Sequence, residues 1–406
     1  MPKVSQRAIL LRNLRYLRYT ILVYGDAKDE ADMDEFMELD VYIRQYRYLQ
    51  PRVHRNDGDL AKCAARSMLE WLSTTGCDAM LYPFIKMRRS TFEFILSRIA
   101  SMSMFRNRSK CPQTAVRFQL FVTLARLTSN GTAGSLDRES FHWGCGDGSV
   151  VLWTDRVLDA LCRLEADYVQ WPTAGERRQL SEWACEHHHQ WQGHVVNGDG
   201  THVYFHRQPA ANLYPEVYWD HRHGGYGMNV MLIVDHHHVI RKYHVGWPGS
   251  ASDSTVIKKS RLGKSPELYF SSGEYGFFDL GYALKWWCIV PYKGLDAQDD
   301  CNRRFNKLQR KGRVVVERTI GIWKNRFGSL KRLPLNIDEQ SDFIRVQKWI
   351  RATMVLHNIL AIARDPTFFE EAQPLQDDDE NYVRPDGRNS TGVAIREAMK
   401  REMLAR

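Results

Sequence analysis

Four carboxylates are placed where they can act together. They are Asp199 in VVNGDGTHVYF, Asp253 in PGSASDS, Asp279 in FDLGY and Glu317 in VVVERTIGIWKNRF. Oxygen ligands of this kind suit hard cations, Mg2+ or Mn2+, whereas histidine or cysteine would point to zinc. Carboxylates on adjacent central strands, with one more from a helix packed across the sheet edge, can hold two such ions. The ions activate a water and stabilise the leaving oxygen in phosphodiester cleavage. Two of these residues also have plainer explanations. Asp199-Gly200 is a turn signal, which predicts a strand that runs to Asp199, turns at Gly200 and resumes as a short extended piece. Glu317 has the spacing for an i,i+4 ion pair with Arg313 on a solvated helix face.

The surroundings of Glu317 favour chemistry on a polyanion. Between Arg303 and Arg332 it is the only acidic residue among many basic ones. Lys324 follows it by two helical turns and so faces the same way. Arg318, Lys324 and Arg326 are the candidate contacts to a DNA backbone, contacts that would be sequence-independent and sensitive to salt. The formal net charge of +9 over 406 residues agrees with a nucleic-acid partner. The eight cysteines include no CxxC pair and read as buried free thiols. No apolar run is long enough for a membrane span, and the Arg-punctuated N-terminus lacks the apolar stretch of a secretory signal. It reads as a basic amphipathic helix.

These residues need a scaffold, and the pattern is α/β. Candidate strands are 194–197, 228–234, 239–245, 275–278 and 288–291, with a short helix opening at Asp253. Long helical patterns follow at 299–333 and 338–364. The expected divisions are a helical N-terminal region at 1–83, a second helical region at 84–190, a catalytic domain at 191–364 and an acidic then basic tail at 365–406. Within 84–190, Ser90 is expected to cap a helix reaching Ala100. Residues 135–141, a Gly-rich turn, and a helix capped by Asp147 or Ser149 form a helix-turn-helix-like unit. Ser149, Thr154 and Arg156 are its candidate DNA contacts; an ordinary helical hairpin has the same pattern. The runs at His187 and His236 are expected at the surface, and His202 is expected to be structural.

The motifs GDGTHV at 198–203, PGSASDS at 248–254, FDLGYAL at 278–284, VERTIGIWKNRFGSL at 316–330 and LHNIL at 356–360, in this order and spacing, resemble the PIF/Harbinger transposases of the DDE superfamily and the nucleases domesticated from them. The resemblance spans roughly 84–362. It implies an RNase H-like fold, with Asp199, Asp279 and Glu317 as the metal-binding triad and Asp253 as a further acidic position. It also implies DNA cleavage that leaves a 3′-OH, strand transfer in a mobile element, a separate Myb-like DNA-binding partner, and a nuclear location; homo-oligomers are an open possibility. Three departures stand out. Ser252 replaces the usual His, Leu280 follows the third Asp, and His221-Arg222-His223 stands where Asn-Arg-Lys is common. None removes a carboxylate. Two other functions fit the same residues, a non-catalytic DNA-binding or chromatin factor that kept the fold, and an RNase H-like enzyme acting on RNA.

Overall fold

A computed structural model describes residues 59–106, 113–187, 191–371 and 390–404, together with three residues between 11 and 14. The chain divides into two compact units, Met1–Ala61 and Lys62–Arg406. The expected N-terminal basic helix, the acidic patch near 26–40 and most of the loose segment after 371 lie outside the described residues. The expected divisions at 83, 190 and 364 all fall inside the second unit. Among the described residues no helix is long and apolar enough to cross a membrane.

The second unit is mixed α/β. Its helical part comprises all but the first turn of α1 (Asp59–Thr74), then α2 (Asp78–Ile85), α3 (Arg89–Ile99), α4 (Val116–Thr128), α5 (Leu136–His142), α6 (Asp147–Arg163) and α7 (Ala174–His187). α4 is buried along nearly its whole length, as an apolar helix at the centre of a helical layer must be. Two helix starts differ from expectation. α3 is capped by Arg88 and not by Ser90, and α6 by Gly146 with no side-chain bond to its first turn.

The sheet contains β1 (His194–Tyr204), β2 (Trp219–Asp220), β3 (Gly225–Val234), β4 (Ile240–Pro248), β5 (Tyr275–Phe278) and β6 (Cys288–Ile289). The path is β2-β3-β1-β5-β6, with β4 also paired to β3. β3 runs antiparallel to β1, while β5 runs parallel to it, so the sheet is mixed. Around it lie α8 (Asp253–Lys259), α9 (Asp300–Arg326), α10 (Gln340–Ile362) and α11 (Ser390–Leu404). The MNVMLIV run of β3 lacks alternation because both faces are covered. Met228, Val230, Leu232 and Val234 join one apolar cluster with α4, α6 and α10, while Met231 and Ile233 join another with Phe277, Phe278 and Phe305.

The turn expected at Gly200 does not exist. β1 continues through it, paired with β3 from Asn197↔Val234 to Tyr204↔Gly227. The glycines serve close approach instead. A Cβ on Gly198 would lie 2.1 Å from the Phe278 ring, and one on Gly200 would lie 2.3 Å from the Asp253 carboxylate. The LHNIL stretch is also structural. Asn358 accepts from the Ile240 backbone N–H and donates to the Ile240 carbonyl, at 2.8 Å each, which fixes β4 to α10.

Candidate active site

The carboxylates are positioned by the end of β5. Gly198 pairs with Phe278 in the parallel register, and β5 ends there. The next residues, Asp199 on the continuing β1 and Asp279 just past β5, therefore emerge side by side. α9 lies against β1. Its N-cap Asp299 accepts from the Asn302 N–H at 3.0 Å, and Arg313, Glu317 and Lys324 recur at helical spacing on the side facing the sheet.

One guanidinium joins three of the carboxylates. Arg313 Nη1 lies 3.4 Å from Asp199 Oδ2, and its Nη2 lies 3.4 Å from Asp279 Oδ1 and 3.0 Å from Glu317 Oε1. The i,i+4 pair read from the sequence is present, but Arg313 is buried, so the solvated face is not. Asp253 is placed differently. It lies over Gly200, which by strand alternation points to the opposite face from Asp199. Asn229 Nδ2 holds its Oδ1 at 2.7 Å and also donates to the Ala251 carbonyl.

Burial and the crowding of negative charge act together on Asp199. Burial, and then Asp279, Asp253 and Glu317, push its carboxyl up to about 8 against the pull of Arg313. Tyr282, buried beside the same aspartates, is pushed up by burial and by their charges, and its hydroxyl makes no hydrogen bond among the described residues. Asp279 Oδ1 likewise accepts none. Oxygen donors in excess of protein hydrogens, around a position already held by a cation, fit a divalent metal of the Mg2+ or Mn2+ class.

The other sequence candidates separate. Lys324 turns inward and donates to Thr201 Oγ1 and the His202 carbonyl at 2.6 Å each; burial pushes its ammonium down to about 8. Arg326 is fully buried, donating to the carbonyls of Lys86, Thr367 and Phe368, so it cannot reach a DNA backbone. Its position after Trp323 puts it on the core side of α9. Of the three basic candidates only Arg318 is exposed. It lines a cleft of ≈ 730 Å³ with Trp183, His237, Lys311, Arg364 and Phe369.

In α6, Thr154 is fully buried, donating to the Val150 carbonyl at 2.7 Å and accepting from Arg126 at 3.2 Å, and so faces the core and not DNA. Ser149 and Arg156 are partly exposed, two turns apart, with the exposed Leu152 between them. The flank of α6 beside them is tied to α10 by Asp155–Arg345 at 2.7 Å and Asp159–Lys348 at 2.6 Å. Two histidines expected at the surface, His236 and His238, are buried in the β3–β4 turn, whereas His187 and His237 are exposed. The described cysteines are free, but only Cys288 is fully buried.

Residues 198–358 match the family described as DDE superfamily endonuclease. These residues form a DDE endonuclease domain of the Harbinger type. All four carboxylates, Arg313 and Lys324 lie within this DDE domain. The chain is 24% identical over 319 residues to the protein ALP1-like of Arabidopsis thaliana, covering 73% of this chain and 74% of that one. It is 22% identical over 339 residues to Antagonist of Like Heterochromatin Protein 1 from the same plant, covering 79% and 80%. No solved structure matches the chain.

Sequence reasoning missed the part played by Arg313 and the roles of Asn229 and Tyr282. Arg313 was visible as the i−4 neighbour of Glu317. Nothing local marks Asn229 or Tyr282, whose importance depends on strand pairing and burial.

Proposed function

We propose that the chain is a metal-dependent DNA endonuclease of the transposase type, with an RNase H-like DDE domain. The observation that carries this reading is the convergence of Asp199, Asp279 and Glu317 on one cation position, held by Arg313. Asp199, Asp279 and Glu317, with Asp253 from across β1, would hold one or two divalent ions. Such ions, when bound, activate water and stabilise the departing oxygen of a phosphodiester.

The chain's own residues set the conditions for that chemistry. Asp199 Oδ carries a proton through neutral pH in the metal-free site, so cation binding releases a proton. Lys324 fixes the backbone of β1 beyond Asp199 through Thr201 and His202. Asn229 orients the Asp253 carboxylate. Arg318 and its basic neighbours on α9 contact DNA phosphates, and Ser149 and Arg156 on the accessible side of α6 supply a second contact surface, used as a helix-turn-helix. Hydrolysis leaves a 3′-OH, which in a mobile element attacks target DNA. The protein works in the nucleus, with a Myb-like DNA-binding subunit or as a homo-oligomer.

A second reading is favoured by one relative's name, Antagonist of Like Heterochromatin Protein 1. In it, the chain is a chromatin factor that keeps the fold and binds DNA without cutting it. Nicking of supercoiled DNA by purified protein with Mg2+ or Mn2+ separates the two. The nuclease reading expects nicking by the wild type that Asp279→Asn abolishes. Equal inertness of both, with the DNA-binding partner present, overturns it in favour of the chromatin factor.

A further inference from the structure

A second cluster lies beyond the carboxylates, on the far end of β1. His202, on β1, points to the face opposite Asp199. Asp220 ends β2, and His223 sits in the turn to β3. One ligand atom from each of the three lies within 4.8 Å of the others. The cluster is built and not incidental. Tyr204 lies across β3 to donate its hydroxyl to Asp220 Oδ2 at 2.7 Å. It can do so because residues 225 and 227 are glycines, whose added Cβ atoms would meet the Tyr204 ring at 2.8 and 3.0 Å. Arg222 N–H donates to Asp220 Oδ1 at 2.9 Å. Asp220 is buried, and Tyr204, Arg222 and His223 all hydrogen-bond its carboxylate.

The orientation of His202 points to an ion. Its Nε2 meets the Gly249 carbonyl at 3.0 Å, an acceptor only, so this nitrogen carries the hydrogen. In the neutral ring the Nδ1 lone pair then faces Asp220 Oδ2 at 3.7 Å, beyond hydrogen-bond range. A lone pair facing a carboxylate is unfavourable unless a cation, a metal ion or a proton on Nδ1, lies between them. Metal-binding histidines are commonly fixed in this way, with the second nitrogen on a backbone carbonyl. His223 Nδ1 hydrogen-bonds the same oxygen at 2.9 Å, and its side chain is 65% exposed, leaving one side of the site open.

We propose that His202, Asp220 and His223 form a second metal site, taking a borderline ion of the zinc class through two imidazoles and one carboxylate, distinct from the oxygen-lined site at Asp199. Two nitrogens and one oxygen with an open position match zinc and not Mg2+ or Mn2+. The bound ion ties three pieces together: β1, the β2–β3 hairpin, and the Pro248–Ser252 segment whose Gly249 carbonyl anchors His202. That segment leads directly into Asp253, so loading this site steadies the loop that carries this carboxylate. His223 belongs to the His-Arg-His by which this chain departs from the Harbinger pattern. The proposal does not depend on nuclease activity.

The test uses full-length, tag-free protein freed of metal by chelator and held in millimolar Mg2+ to occupy the carboxylate site. Zn2+ is titrated against a chromophoric chelator, and Co2+ is added as an absorbing probe. One equivalent is expected to bind in wild type and in Asp279→Asn, and Co2+ should develop visible bands of a nitrogen-containing, low-coordinate site. His223→Gln and His202→Gln should each weaken Zn2+ by at least about 10-fold and erase those bands. His223 is exposed, so an unchanged melting temperature in His223→Gln rules out unfolding as the cause. The proposal is overturned if wild type retains no Zn2+, if His223→Gln binds it as tightly as wild type, or if Asp279→Asn is what abolishes binding.

Discussion

The Arg313 guanidinium reaches from α9 to within 3.4 Å of the Asp199 carboxylate on β1. It thereby spans strand and helix where Asp199, Asp279 and Glu317 converge. In the absence of metal it is the cation that makes this convergence tolerable. Removing one partner of a buried charge network leaves the others uncompensated, at about 3–5 kcal/mol. Arg313→Ala is therefore expected to lower the stability of chelator-treated protein by about that amount. Mn2+ should recover part of the loss and raise the variant's melting temperature by more than it raises the wild type's. Chemical denaturation with and without Mn2+ measures both.

Gly200 gives a second, independent handle on the site. A methyl group there would lie 2.3 Å from Asp253 Oδ1, and Asn229 leaves that carboxylate little room to yield. Overpacking of this kind costs about 1–3 kcal/mol. Gly200→Ala should lose that stability together with metal-dependent nicking. Asp253→Ala in the same chain should restore the stability but not the nicking. A double-mutant cycle on unfolding free energy tests this, because directly opposed groups must couple.

The difference between what was readable in the sequence and what was not follows from the range of the forces involved. β5 and the two long helices were legible because a strand or amphipathic helix shows its periodicity within a few residues. β1 was misread at Gly200 because Asp-Gly is locally a turn signal, and only the remote Phe278 and Asp253 explain why glycine stands there. Arg318, Lys324 and Arg326 looked alike as basic residues of one segment. Their fates diverge because neighbours on a helix point about 100° apart: one reaches solvent, one β1 and one the core. Thr154 was proposed for DNA on the polarity of its side chain, yet its hydroxyl is satisfied within its own helix and by Arg126.

That divergence on α9 makes a paired prediction. Arg326→Ala strips donors from the carbonyls of Lys86, Thr367 and Phe368, of which the last two are buried acceptors left at about 1–3 kcal/mol each. It should destabilise the fold strongly, and any refolded fraction should bind DNA with the wild-type salt dependence. Arg318→Ala should do the reverse. Stability should stay within about 0.5 kcal/mol, while the slope of log affinity against log salt falls by about 0.9 if one phosphate contact is lost. Fluorescence anisotropy on a duplex over a salt series, beside urea melts, reads both. Equal salt slopes for wild type and Arg318→Ala would remove this face from the DNA-binding surface.

Three histidines should govern the acid limb of stability. Burial pushes His238 and His244 down to about 4 and His357 down to about 3, with Arg318, Lys242 and His238 respectively adding positive charge nearby. In the unfolded chain such groups titrate near about 6.5. Between that value and about 4 the unfolded state therefore binds more protons than the native one, so stability is retained above about 6.5 and lost as pH falls toward 4. Urea unfolding of metal-free protein between about pH 7 and 5 should show a stability that declines with a slope of up to about two protons, because Asp199, which holds its proton only in the folded state over this range, offsets one of the three histidines. His357 donates from Nε2 to the His238 carbonyl at 2.9 Å, a bond that glutamine can replace without titrating. His357→Gln should accordingly flatten the slope by about one proton while keeping that backbone contact. An unchanged slope in this variant would show that His357 titrates alike in both states.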